Sequence, residues 1–147
     1  REKLQERARG AARLTFVEPL GDAEYRLALG AADVLLVNEK PGVAAMAVPS
    51  KLTSYFDAGR PVVAATDVGG ITASEVMAAD AGVVVRAGAP EELLAAVLTV
   101  TADAQAAERF GHNGRRYRES VLDEGAAIER WATLLEAWLP DPRPAKR

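Results

Sequence analysis

The residues best suited to do chemistry lie in VPSKLTSYFDAGRPVVAAT, residues 48–66. Pro49 and Ser50 stand where a helix begins, with Lys51 beside them, and a Gly59-Arg60-Pro61 break then leads into an apolar run. A helix start carries unpaired backbone N–H groups and a partial positive charge, so it favours an anion. A hydroxyl and an ammonium at that point suit a phosphate or diphosphate. Two plainer readings stand beside this one: Ser50 as an ordinary helix cap, and Lys51 as a solvated side chain. The second is weakened because a first-turn lysine opposes the helix dipole and so wants an anion nearby. Gly42, Gly69 and Gly70 would let the backbone approach a ligand closely, although paired glycines commonly mark turns. Asp33 reads as a local turn or capping acid. His112, in FGHNGRRYRE, reads as a surface residue on a downstream helix.

The elements that position these residues follow from hydrophobic spacing. Apolar, β-branched runs at 14–17, 34–37, 62–65 and 83–85 alternate with helix-like segments at 22–31, 50–58 and 71–79. Continuous apolar strands separated by helices predict a parallel sheet covered on both faces. The expected fold is therefore α/β, a Rossmann-like parallel sheet of about four strands with helices on both faces, followed by C-terminal helices. Asp22 would cap one helix, Gly59 end another and Gly69-Gly70 open a third. Beyond the sheet, helices are predicted from Pro90, over 102–121 and over 125–139. In the last of these Trp131, Leu134, Leu135 and Trp138 fall on one face, a spacing that predicts core packing. Residues 1–139 read as one domain and 140–147 as a Pro-rich, mobile tail.

In such sheets, ligands bind at the carboxyl ends of the strands. Three segments should meet there: the long loop 38–48, the turn 66–70, and the helix start at Ser50. The chain opens in a charged helical stretch, residues 2–9, with no strand before it and with no G-x-G-x-x-G or Walker A sequence. The expectation is a later part of a larger protein.

Composition excludes several classes. The 147 residues, 49% hydrophobic and 27% charged, describe an ordinary globular chain with a net charge of −3. That charge gives no reason to expect nucleic acid, which usually calls for a basic face. There is no cysteine, which excludes a thiolate, and a single histidine leaves little material for a zinc site or a serine triad, so metal-free chemistry is expected. No apolar run approaches the roughly 18 residues of a membrane span, and Arg1-Glu2-Lys3-Leu4 is not a signal peptide, so the expected location is cytoplasmic.

The order LGDAEYRLALGAADVLLVNEK, VPSKLTSYFDAGRPVVAAT, GGITASEV, GVVVRAGAPEELLAAV and GHNGRRYRES resembles the C-terminal, nucleotide-sugar-binding half of GT-B glycosyltransferases. The nearest group is the retaining family 4, in its exopolysaccharide or colanic-acid type, and the resemblance runs over residues 14–139. It implies a partial GT-B C-terminal domain in which Ser50, Lys51 and the N–H of Leu52 face the donor diphosphate. Ser54 would stand at the ribose, and Gly42, Val43, Gly69 and Gly70 would form the loops around the donor sugar. The family's Glu-x7-Glu pair falls on Met46 and Ser54, so both acids are absent.

The basic pair that neutralises the leaving diphosphate belongs to an earlier strand outside this chain, as does the acceptor-binding N-terminal domain. The implied reaction is metal-independent, retaining transfer of a sugar from a nucleotide-sugar donor to a glycan or lipid-linked acceptor in polysaccharide biosynthesis. The full-length protein would sit in the cytoplasm or at the cytoplasmic membrane face. A non-catalytic nucleotide-binding or protein-interaction module is the alternative. A flavodoxin-type signalling fold fares worse, because no acidic cluster follows the run 14–17.

Overall fold

Five residues in the middle of the chain, Val62-Val63-Ala64-Ala65-Thr66, are each buried to 2% exposure or less. They form the central strand of a parallel sheet. In this computed structural model, which describes residues 2–43 and 50–139, the sheet contains β1 (Leu35–Asn38), β2 (Val62–Thr66) and β3 (Gly82–Arg86) in the order β1-β2-β3. Leu35 pairs with Val62 and Val62 with Gly82, so the three strands end level at one edge. The helices are α1 (Glu2–Arg7), α2 (Asp22–Gly30), α3 (Ser50–Asp57), α4 (Ile71–Ala78), α5 (Pro90–Ala102), α6 (Ala104–Ser120) and α7 (Glu124–Trp138). The α/β class and the parallel order agree with the hydrophobic pattern, and each helix predicted from residue 22 onward appears within two residues of its expected ends.

Strand pleating sends Val37, Val62, Ala64 and Val84 to one face. There they meet Leu52 and Phe56 of α3, Val76 of α4 and Tyr117 of α6. Two right-handed crossovers between consecutive neighbours place α3 and α4 on the same face. Phe56 is the largest fully buried side chain, and its ring meets Tyr117 edge-on at 6.0 Å and 81°. On the opposite face α5 packs against β2 and β3, while Leu36 of the outer strand β1 stays 45% exposed.

Three expectations are corrected. Residues 14–17 form no strand, which leaves three strands rather than four among the described residues. Leu14 and Val17 remain largely exposed, and β propensity without a buried face does not make a strand. The acid that caps α2 is Glu24, whose Oε2 accepts the Gly21 N–H at 3.1 Å, and not Asp22. Finally, the α7 stripe is not core: Trp131 is 66% and Trp138 85% exposed, with no residue of α7 buried. The helical period was right, but periodicity identifies a sticky face without saying what lies against it. The tail 140–147 lies outside the described residues.

Glycine governs the packing of α6 on α3. Gly59 ends α3 with φ +65°, a conformation that L side chains avoid. Its carbonyl then meets α6 so closely that a Cβ on Gly111 would lie 2.2 Å from the Gly59 oxygen. Because the obstructing atom is backbone, neither helix can yield locally. Gly111→Ala gains up to about 1 kcal/mol of helix propensity but overpacks the contact by about 1–3 kcal/mol or more. The expected net result is a lower urea midpoint at unchanged m-value. A variant as stable as wild type would show that α6 is not held at this distance.

Candidate functional site

Parallel pairing brings the ends of β1, β2 and β3, at Asn38, Thr66 and Arg86, to one edge. The helices α3, α4 and α5 start beyond those ends. Hydrogen bonds tie the first two connections together. The Gly42 N–H donates to Asp67 Oδ2 at 2.9 Å, joining the loop after β1 to the turn after β2. Glu39, one residue past β1, accepts Thr66 Oγ1–H at 2.5 Å on one carboxylate oxygen and Thr72 Oγ1–H at 2.6 Å on the other. Its own N–H continues the ladder to the Ala65 carbonyl at 2.9 Å. Both threonines are buried, and Glu39 is partly buried.

The three helix starts differ electrically. α5 opens on Glu91 and Glu92, and Glu92 is paired with Arg86 at the end of β3. That hydrogen bond holds Glu92 below its ordinary carboxyl range and raises Arg86 further. α4 has no acid in its own first turn, but the Glu39 carboxylate bonds to Thr72 there. α3 has no acid in its first turn and carries Lys51 instead. Lys51 is exposed and makes no ion pair with any described residue. An N-terminal helix end favours negative charge. Of the three, α3 is therefore the one to which the described residues do not supply it.

The residues singled out from sequence are distributed as follows. Ser50 and Lys51 are the exposed first two residues of α3, and Leu52 is buried beneath them in the core. Gly42 adopts φ +80°, has open space where a Cβ would stand, and is linked to Asp67. Val43 is partly buried, with its N–H on Lys40 O at 3.4 Å. Gly69 is exposed with open space around it, whereas Gly70 is buried and its N–H is consumed within the turn by Asp67 O at 2.8 Å. Gly42 and Gly70 are thus both hydrogen-bonded to Asp67, with Gly69 in the same turn. Ser54, one turn along α3, lines a cleft of about 610 Å³ with Tyr25 and Arg26 of α2 and Arg115 and Arg118 of α6. Met46 and Pro49 lie outside the described residues.

His112 is exposed, with Nε2 3.7 Å from Glu108, and Asp33 is an exposed bend residue; both line a cleft at the other end of the sheet. The residues that sequence reasoning missed are Glu39 and Asp67. Each acid sits in a loop whose composition resembles any turn, and only the fold brings Thr66, Thr72 and Gly42 to them.

No protein-family model matches the chain, and no curated protein matches it. Among solved structures it is similar to sucrose-phosphate synthase from Thermosynechococcus elongatus, with a TM-score of 0.74 and 21% identity over 93% of this chain. The matched region is 33% of that protein, so the chain spans about a third of its length. No helix among the described residues is long and apolar enough to cross a membrane. At this identity the likeness speaks for architecture: the chain has a Rossmann-like α/β fold of the kind found as part of a GT-B glycosyltransferase.

Proposed function

We propose that this chain is the nucleotide-sugar-binding part of a retaining glycosyltransferase, of the family 4 exopolysaccharide type. It would act with an N-terminal acceptor-binding domain on a glycan or lipid-linked acceptor at the cytoplasmic side of polysaccharide biosynthesis. The carrying observation is the start of α3: a hydroxyl and an unpaired ammonium at a helix N-terminus, on the carboxyl edge of a parallel sheet, where the two neighbouring helix starts already have acids. The solved neighbour, which by its name makes sucrose phosphate, is compatible with sugar chemistry on this fold.

In this reading Ser50, Lys51 and the N–H of Leu52 receive the donor diphosphate. Ser54 bonds a ribose hydroxyl, without the added strength a carboxylate would bring. The unit of Gly42, Val43, Gly69 and Gly70 lies beside the sugar. As the glycosidic bond breaks, negative charge grows on the diphosphate. Prearranged N–H groups and Lys51 stabilise that charge with no metal required. The remaining positive charge is assigned to the basic pair outside this chain. The exposed Trp131–Trp138 face of α7 gives the second domain an apolar surface to cover.

The same exposed face is what favours the alternative, an interaction module without turnover. Two measurements separate the readings. Titrating the chain with UDP and GDP, observed by amide NMR so that weak binding registers, should shift the amides at the start of α3. Lys51→Ala should weaken that binding by about 1–3 kcal/mol, nearer the low end because the lysine is exposed. Equal affinity of the variant would remove Lys51 from the diphosphate site, and absence of shifts at α3 would remove the site itself. Separately, the isolated chain should show no sugar transfer from any nucleotide-sugar, since it lacks the basic pair and acceptor domain. Measurable turnover would overturn that division of labour.

A further inference from the structure

We propose that Glu39 is a positioning residue that presets the turn 66–70 as a donor-sugar loop; the sugar-binding part of this inference rests on the function proposed above. Its carboxylate is the common acceptor for hydroxyls on both sides of that turn, Thr66 at 2.5 Å and Thr72 at 2.6 Å. Thr66 closes β2 and Thr72 is the second residue of α4. One side chain therefore fixes both ends of the segment Asp67-Val68-Gly69-Gly70-Ile71. Segments rich in glycine lose much conformational entropy on ordering. With Gly70 as the N-cap of α4 and no side chain to cap it, local sequence provides little to hold this turn in one shape.

The geometry gives the hold to Glu39 in two ways. An ionised carboxylate can accept from both hydroxyls at once, one on each oxygen, with the strength of charge-assisted bonds. Placed against the first turn of α4, its negative charge also meets the positive end of that helix, which leaves α4 less attractive to a second anion. The diphosphate is thereby directed to α3, and the turn before α4 is left to neutral hydroxyl groups. Asp67, itself held by the Gly42 N–H, carries the same order across to the loop after β1. Glu39 touches no reacting atom; it acts through the turn.

The test uses the full chain with Glu39→Ala, Glu39→Gln and Thr72→Val. Amide hydrogen exchange, read residue by residue, should accelerate about tenfold or more at Gly70 and Gly42 in Glu39→Ala, as expected when a local opening free energy falls. Glu39→Gln, which keeps one accepting oxygen and can donate to the other hydroxyl, should restore most of the protection. Thr72→Val is nearly isosteric and lies outside the strands, so it should loosen Gly70 even if Glu39→Ala does not fold. In ligand titrations, UDP-glucose and GDP-mannose should lose several-fold more affinity in Glu39→Ala and Thr72→Val than UDP and GDP do. Wild-type exchange rates in both Glu39→Ala and Thr72→Val, or parallel losses for sugar-bearing and sugar-free nucleotides, would overturn the proposal. Wild-type silence toward all four nucleotides rejects the donor-site reading, and with it the sugar-binding half of this inference. The exchange rates then still decide whether Glu39 holds the turn.

Discussion

The parallel pairing of β2 with both neighbours is the constraint from which the rest of the molecule follows. Its five residues are almost wholly removed from water, so the strand can exist only where a strand on each side takes its backbone groups and helices cover both faces. Register then leaves no choice about direction. Leu35, Val62 and Gly82 pair in line, so β1, β2 and β3 finish together and the chain must leave for α3, α4 and α5 from the same edge. Three helix N-termini are thereby gathered at one edge, each carrying the partial positive charge of a helix start.

That edge is then differentiated by side chains. Glu91, Glu92 and Arg86 satisfy one another at α5, and Glu39 serves α4 through Thr72. What is left at α3 is Lys51 and the exposed Ser50. The same logic places flexibility next to rigidity. Gly42 and Gly69 leave open space beside them, yet Asp67 holds the Gly42 N–H and Glu39 holds the threonines on either side of the Gly69 turn. A loop built in this way is accessible without being loose.

Away from that edge, the molecule shows how incomplete its own surface cover is. Leu36 on the outer strand and nearly the whole apolar face of α7 are open to water, although neither composition nor spacing distinguishes them from core segments. Tyr55 gives partial cover at the outer strand. Its hydroxyl donates to the Leu36 carbonyl at 3.3 Å, and burial, aided by nearby Tyr25, raises its pKa above the ordinary tyrosine value. Apolar surface on this scale is rarely left bare in a monomer, and a fold that matches a third of a larger molecule is a natural setting for it.

By itself the sequence determined the α/β class, the alternation of strands and helices, the breaks at Gly59 and before Pro90, and the helix start at Ser50-Lys51. These are local properties: hydrophobic period, turn chemistry and capping act over a few residues and are written in order along the chain. Tertiary structure decided what depends on partners distant in sequence. Residues 14–17 look like a strand but do not enter the sheet, and the Trp131–Trp138 stripe looks like core but is exposed. Gly111 is indispensable because a carbonyl 52 residues earlier lies where its Cβ would be. Glu39 and Asp67 were invisible for the same reason: an acid in a loop acquires a role only when folding brings Thr66, Thr72 and Gly42 within hydrogen-bonding distance of it.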